Sequence, residues 1–149
     1  MNPPLPLVLL VEDDLGHAEL TTLALMEDEP KAKVVHHVSD GEAALDYLFR
    51  RGDYAHADQS PCPHLILMDL RLPKVDGLEV LKEIKASSDE TLRRTPVVIM
   101  TSSEASRDTA DAYDGGANSY IVKPVDYEKY SRLVADLGRY WLIWNCRAD

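Results

Sequence analysis

The chain predicts an α/β fold: a doubly wound, five-stranded parallel sheet with helices on both faces. Three observations predict it. Short apolar runs rich in Val, Ile and Leu recur along the chain, among them Val8-Leu9-Leu10-Val11, Leu65-Ile66-Leu67-Met68 and Val97-Val98-Ile99-Met100. Continuous apolar runs of this length read as strands buried on both faces. Helix-like stretches separate them, so strand and helix alternate five times with short connections, and right-handed crossovers then build one parallel sheet. Four of the runs also stop at polar residues: Glu12-Asp13, Asp69, Thr101 and Lys123-Pro124.

Met1 to Pro6 holds three prolines and forms a lead-in. The first strand spans about Leu7–Val11. A helix follows from about Leu15 to Asp28, with Leu15, Ala18, Thr22, Leu25 and Met26 near one face. Pro30 stops it, because proline cannot continue the hydrogen-bond ladder. The second strand spans about Ala32–Val38. Ser39 or Asp40 caps the next helix, whose apolar side is Ala43, Ala44, Tyr47 and Leu48. Gly52 to Pro63 is a polar loop, long for a compact domain.

The third strand spans about His64–Asp69, and the turn Leu72-Pro73-Lys74-Val75-Asp76-Gly77 leads into a partly buried third helix carrying Leu78, Leu81 and Ile84. Ser87 to Thr95 is read as a loop. The fourth strand spans about Pro96–Met100. Ser103-Glu104-Ala105-Ser106 opens the fourth helix, and Gly115-Gly116 closes it with a left-handed cap. The fifth strand spans about Ser119–Val122, and a fifth helix begins near Asp126. There is no internal repeat and no linker to a second domain.

The bulk properties fit one domain. A chain of 149 residues, 45% hydrophobic and 28% charged, is globular in composition and buries roughly two-thirds of its unfolded surface. A formal net charge of −10 argues against direct nucleic-acid binding, which needs a basic stripe. Cys62 and Cys146 are too few and too far apart for a zinc or disulfide framework. With no secretory signal and no apolar run approaching the ~20 residues that span a bilayer, a reduced cytoplasmic protein without membrane contact is expected.

In an open α/β sheet, ligands bind beyond the carboxyl ends of the strands, so the four polar stops converge. Three carboxylates, Glu12, Asp13 and Asp69, make a hard oxygen site suited to Mg²⁺. A divalent cation relieves their repulsion. Asp69 has the short, exposed reach of a nucleophile. Lys123 brings a mobile positive charge and Thr101 a hydroxyl donor. Phosphoryl transfer needs positioning and charge neutralisation, and this set provides both. Taken singly, each residue has a plainer reading: a solvated strand end for the acidic pair, a helix cap for Thr101, a strand-ending turn for Lys123-Pro124. Asp14 faces solvent and caps the first helix.

The strings Val11-Glu12-Asp13-Asp14, Met68-Asp69-Leu70-Arg71-Leu72-Pro73-Lys74-Val75-Asp76-Gly77, Pro96-Val97-Val98-Ile99-Met100-Thr101 and Tyr120-Ile121-Val122-Lys123-Pro124 together resemble the response-regulator receiver domain of two-component signalling. The resemblance covers about residues 7–140, leaving 141–149 as an apolar tail. It implies a flavodoxin-like sheet with strand order 2-1-3-4-5. It implies that a sensor histidine kinase phosphorylates Asp69, and that Glu12, Asp13, Asp69 and the backbone carbonyl of Arg71 hold Mg²⁺. Thr101 and Lys123 would bind the phosphoryl group, Tyr120 would be an aromatic switch, and the Lys123-Pro124 bond would be cis. Such a protein is a phosphoacceptor in a phosphorelay that assists its own phosphorylation and dephosphorylation, rather than an enzyme.

The Gly52-Asp53-Tyr54-Ala55 loop, the Thr91-Leu92-Arg93-Arg94-Thr95-Pro96 segment and the Tyr140-Trp141-Leu142 ending resemble the stand-alone phytochrome-associated response regulators. A phytochrome-like kinase is then the expected donor. Arg71 departs from the asparagine of those relatives, and its side chain is expected to tune the lifetime of the phosphate. Two rival functions share the residues: a metal-dependent aspartyl phosphatase, for which Arg71 occupies the place of the usual second aspartate, and a pseudo-receiver used only as an interaction module.

His36 and His37 point to opposite faces of a strand and read as structural, as do Cys62 and His64. Tyr130, Val134, Leu137, Trp141 and Trp144 recur at three- and four-residue steps. They either pack the last helix or, with no core left for Trp141-Leu142-Ile143-Trp144 to fill, form an interface. A homodimer through the last helix and tail, with the fourth-helix and fifth-strand face, is the expectation.

Overall fold

The computed structural model describes residues 5–27, 33–56 and 60–147. The expected stop at Pro30, the start of the second strand at Ala32, the first residues of the lead-in and the last two of the tail lie outside the described residues. Five strands form one parallel sheet in the order β2-β1-β3-β4-β5: β1 (Leu7–Val11), β2 (Val34–Val38), β3 (Leu65–Met68), β4 (Val97–Thr101) and β5 (Ser119–Val122). The helices are α1 (Leu15–Leu25), α2 (Gly41–Phe49), α3 (Gly77–Lys85), α4 (Glu90–Arg94), α5 (Ser106–Asp114) and α6 (Tyr127–Arg139). None is long and apolar enough to cross a membrane.

Strand alternation divides the core into two layers. Leu9, Val11, Ile66, Met68, Val97 and Ile99 face α2, α3, α4 and α5, with Tyr47, Leu81 and Leu92. Val8, Leu10, Leu65, Leu67, Val98 and Met100 face α1 and α6, with Leu25, Tyr130 and Val134. Both faces of the central strands are covered, which is why β1, β3 and β4 carry no polar residue until they end, whereas the outer strand β2 carries His36 and His37. Truncating a fully buried strand residue such as Leu67 to alanine would cost about 2–5 kcal/mol.

Aspartates cap α1, α2 and α6: Asp14 accepts from the His17 N–H, Asp40 from that of Ala43 and Asp126 from that of Lys129. The buried face of α1 is rotated from the expected one. It is Ala18, Thr21, Ala24 and Leu25, while Leu15 is 70% exposed. Thr21 is tolerated inside because its hydroxyl donates to the His17 carbonyl at 2.7 Å and meets the Tyr130 hydroxyl at 2.6 Å. Part of the expected 87–95 loop is the short helix α4, capped by Asp89 and seated by Leu92. The Lys85 ammonium donates to the carbonyls of Arg93 and Thr95, both at 3.2 Å.

His36, His37, His64 and Cys62 have structural partners. His36 meets the Tyr54 hydroxyl at 3.1 Å and stacks on Tyr47, which anchors the 52–56 turn to the sheet. His37 meets the Glu12 carbonyl at 2.7 Å, the Leu7 amide donates to His64 Nδ1 at 3.2 Å, and Cys62 Sγ lies 3.7 Å from the Thr95 hydroxyl.

The end of the chain differs most from expectation. After α6 the backbone widens into a π-helical turn over Tyr140–Trp144. Trp141 and Leu142 pack against the second core layer, while Tyr140, Ile143 and Trp144 stay exposed. A core therefore does remain for half of this segment. Tyr130 and Val134 are 4% and 0% exposed within the chain itself, so those two proposed dimer contacts are corrected: no second copy can reach them. Leu137 is half-buried in the same layer.

Candidate functional site

The parallel register sets the site. Val11 stands beside Met68, Met68 beside Ile99, and Thr101 beside Val122, so β1, β3, β4 and β5 end together. The next residue of each strand, or its last, emerges at one edge. Main-chain bonds tie the exits: the Asp69 N–H donates to the Val11 carbonyl at 3.0 Å, that of Glu12 to Val38 at 3.1 Å and that of Lys123 to Thr101 at 2.7 Å.

Asp69, Glu12 and Lys123 form the centre. The Lys123 ammonium donates to Asp69 Oδ2 at 3.0 Å and to Glu12 Oε1 at 2.5 Å. It also lies 3.4 Å from His17 Nδ1. Asp69 Oδ1 accepts from the Arg71 amide at 3.3 Å. Burial pushes the Glu12 carboxyl above its ordinary range, against the pull of Lys123. Burial works against the Lys123 charge, but the two carboxylates outweigh it and raise its pKa. The side chains of Glu12, Lys123 and Asp69 are 4%, 7% and 14% exposed, whereas Asp13 is open to solvent. One carboxylate is thus sheltered, one is exposed, and Asp69 lies between.

Ligand atoms of Glu12, Asp13 and Asp69 lie within 4.8 Å of one another. Three converging carboxylate oxygens fit a hard divalent cation that keeps several waters, as Mg²⁺ does. The Thr101 hydroxyl is buried at the end of β4 and accepts from the Ser103 N–H at 3.3 Å, which leaves its own proton to donate. The Tyr120 hydroxyl donates to the Ser103 carbonyl at 3.0 Å. The Lys123-Pro124 bond is not cis, since no cis peptide occurs among the described residues. This corrects the expectation and leaves the bond in the isomer favoured by about 0.5–1 kcal/mol before proline.

Arg71 points away from Asp69. Its Nη2 donates to both carboxylate oxygens of Asp108, at 2.9 and 2.8 Å, and its Nη1 lies 4.0 Å from Asp76. Asp108 also accepts from the Ser103 hydroxyl at 2.6 Å. Hydrogen bonding from Ser103, with the Arg71 charge beside it, holds its carboxyl below the ordinary aspartate range. The sequence marks Ser103 only as the opening of a helix, which begins at Ser106 instead, and gives no site role to Asp108 or His17. Ser103, two residues past a strand-end threonine, carried the one usable signal, and an acidic residue in the first turn of a helix is too common to carry any.

A profile of the response regulator receiver domain matches residues 8–135. The probable methanogenesis regulatory protein FilR2 of Methanothrix harundinacea is 42% identical over 139 residues, which is 93% of this chain and 85% of that protein. The response regulator Rcp1 of Synechocystis sp. is 37% identical over 145 residues, 95% of this chain and 91% of that one. The crystal structure of the phosphorylated cyanobacterial phytochrome response regulator RcpA matches with a TM-score of 0.88 at 37% identity, over 98% of this chain and all of that chain. That of the Mn(2+)-bound form of response regulator Rcp1 matches at 0.86 with 33% identity, over 97% and 99% of the two chains.

Proposed function

This chain belongs to the response regulator receiver domain family, and from that premise we propose that it is a phosphoacceptor that takes a phosphoryl group onto Asp69 from a sensor histidine kinase. The observation that carries the reading is the convergence of Glu12, Asp13 and Asp69 with the Lys123 ammonium bonded to Asp69. An Asp69 carboxylate oxygen bonds to phosphorus as the donor's phosphorus–nitrogen bond breaks, and the donor imidazole leaves. Glu12, Asp13, Asp69 and the Arg71 main-chain carbonyl would hold Mg²⁺. Bound there, the ion neutralises charge on the transferring group.

Lys123 meets the charge that the new group brings. Thr101 donates its free proton to a phosphoryl oxygen. Because the Ser103 amide rests on Thr101 and the Ser103 carbonyl holds Tyr120, a move by Thr101 loosens the seat of Tyr120. That coupling makes Tyr120 the switch toward the α5 and β5 face. The cyanobacterial phytochrome response regulator RcpA makes a phytochrome-like kinase the favoured donor.

The second copy of a homodimer would cover Tyr140, Ile143 and Trp144, which are 52%, 58% and 75% exposed on one turn, together with Tyr113, Val122 and Tyr127 from α5, β5 and α6. An exposed apolar surface of this kind marks an interface.

The test is incubation with a small acyl phosphate and Mg²⁺. The reading expects phosphate that is stable to acid, labile to hydroxylamine and absent from Asp69→Asn. Repeated turnover of a simple phosphate ester would instead make the chain an aspartyl phosphatase, and no incorporation would make it a pseudo-receiver. Arg71 speaks against the phosphatase: the place of a second acid–base aspartate holds a guanidinium tied to Asp108.

A further inference from the structure

The proposed chemistry leaves the charged side chain of Arg71, two residues after the phosphoacceptor, without a task. Its main chain touches Asp69, yet its guanidinium is turned onto α5. The bond there is well made. One nitrogen reaches both oxygens of Asp108, and the Ser103 hydroxyl fixes Asp108 from the other side at 2.6 Å. The Asp108 side chain is 14% exposed and that of Arg71 61%, so the carboxylate is the fixed partner and the guanidinium the mobile one.

We propose that Asp108 is a positioning residue for the phosphoryl site: it draws the Arg71 guanidinium away from Asp69 and thereby shortens the life of the phosphate. The proposal rests on Asp69 being the phosphoacceptor. A dianionic phosphoryl group two residues from Arg71 competes with Asp108 for the same fork of N–H donors. When Arg71 turns to the phosphoryl group it neutralises charge there and covers the face open to water. When it sits on Asp108 that face is free. Hydrolysis then proceeds as a water oxygen bonds to phosphorus. The phosphorus–oxygen bond to Asp69 breaks, the carboxylate is restored, and both water hydrogens leave on inorganic phosphate as dihydrogen phosphate. The same Asp108 carboxylate holds Ser103, whose carbonyl seats Tyr120, so the position of Arg71 is also reported to the switch.

The experiment loads the full chain from a small acyl phosphate with Mg²⁺, removes the donor and follows loss of phosphate by intact mass. Asp108→Asn should lengthen the half-life about fivefold, the size of coupling found between contacting charged groups. Asp108→Glu should restore it toward the starting value. Arg71→Gln should shorten it, and the double variant should match Arg71→Gln alone. A lengthening by Asp108→Asn that persists without Arg71 marks a merely structural effect and overturns the proposal, as does an unchanged or shorter half-life. If Asp108→Asn does not fold, a half-life in Arg71→Gln equal to that of the unaltered chain overturns it independently. If the unaltered chain takes up no phosphate, the functional reading itself fails and the positioning role falls with it.

Discussion

A Cβ on Gly77 would lie 2.5 Å from the carbonyl oxygen of Asp69 and 2.7 Å from that of Leu70. The first turn of α3 therefore presses directly on the strand end that presents the phosphoacceptor, with the Gly77 amide donating to Leu70 at 2.9 Å. Gly77→Ala should displace that turn, cost about 1–3 kcal/mol as an overpacked contact, and slow phosphate uptake at Asp69. Denaturant melts and uptake rates check the two effects together.

Lys123→Met should leave Glu12 buried without its cation. Removing one partner of a sheltered ion pair costs about 3 kcal/mol. Glu12 escapes part of that cost by taking up a proton, which its raised pKa favours. The loss should therefore be larger at alkaline than at acidic pH, and added Mg²⁺ should recover some of it. Urea melts across pH, with and without the ion, measure both.

The site was legible for a physical reason. Parallel strands buried on both faces must be apolar until they end, so Glu12 after Val11 and Asp69 after Met68 announce where the sheet stops. The same logic could not find α4, which is five residues long with one buried side chain, Leu92. Nor could it find Asp108, because the contact with Arg71 spans 37 positions and an aspartate in the first turn of a helix breaks no local pattern. The tail misled through its period. Steps of three and four place Trp144 on the face of Trp141 in an α-helix, but the wider π-helical turn, closed by the Asn145 amide on the Tyr140 carbonyl at 2.7 Å, rotates it outward.

Burial lowers the pKa of His36 and of His64 below the ordinary 6.5. The unfolded chain then binds protons that the folded chain refuses, so stability rises with pH across that interval. It should be complete above about pH 6.5 and fall as the pH drops through the folded values. His36→Phe keeps the stack on Tyr47 and removes the titrating ring. Its stability should fall less steeply between neutral and mildly acidic pH, which thermal melts along a pH series would show.

The tail should separate assembly from folding. Ile143→Asp with Trp144→Asp should give a monomer at micromolar concentration with unchanged stability, read by sedimentation and thermal melting. Trp141→Ala, which empties part of the second core layer, should lower stability by about 3 kcal/mol, the low end for a tryptophan truncation because the ring is only partly buried, whatever the assembly state.

Intact-mass spectrometry after incubation with a small acyl phosphate and Mg²⁺ tests the central claim most directly. The account predicts one added phosphoryl group on the unaltered chain, and none on Asp69→Asn or in the presence of a chelator. The same mass gain on Asp69→Asn would contradict it.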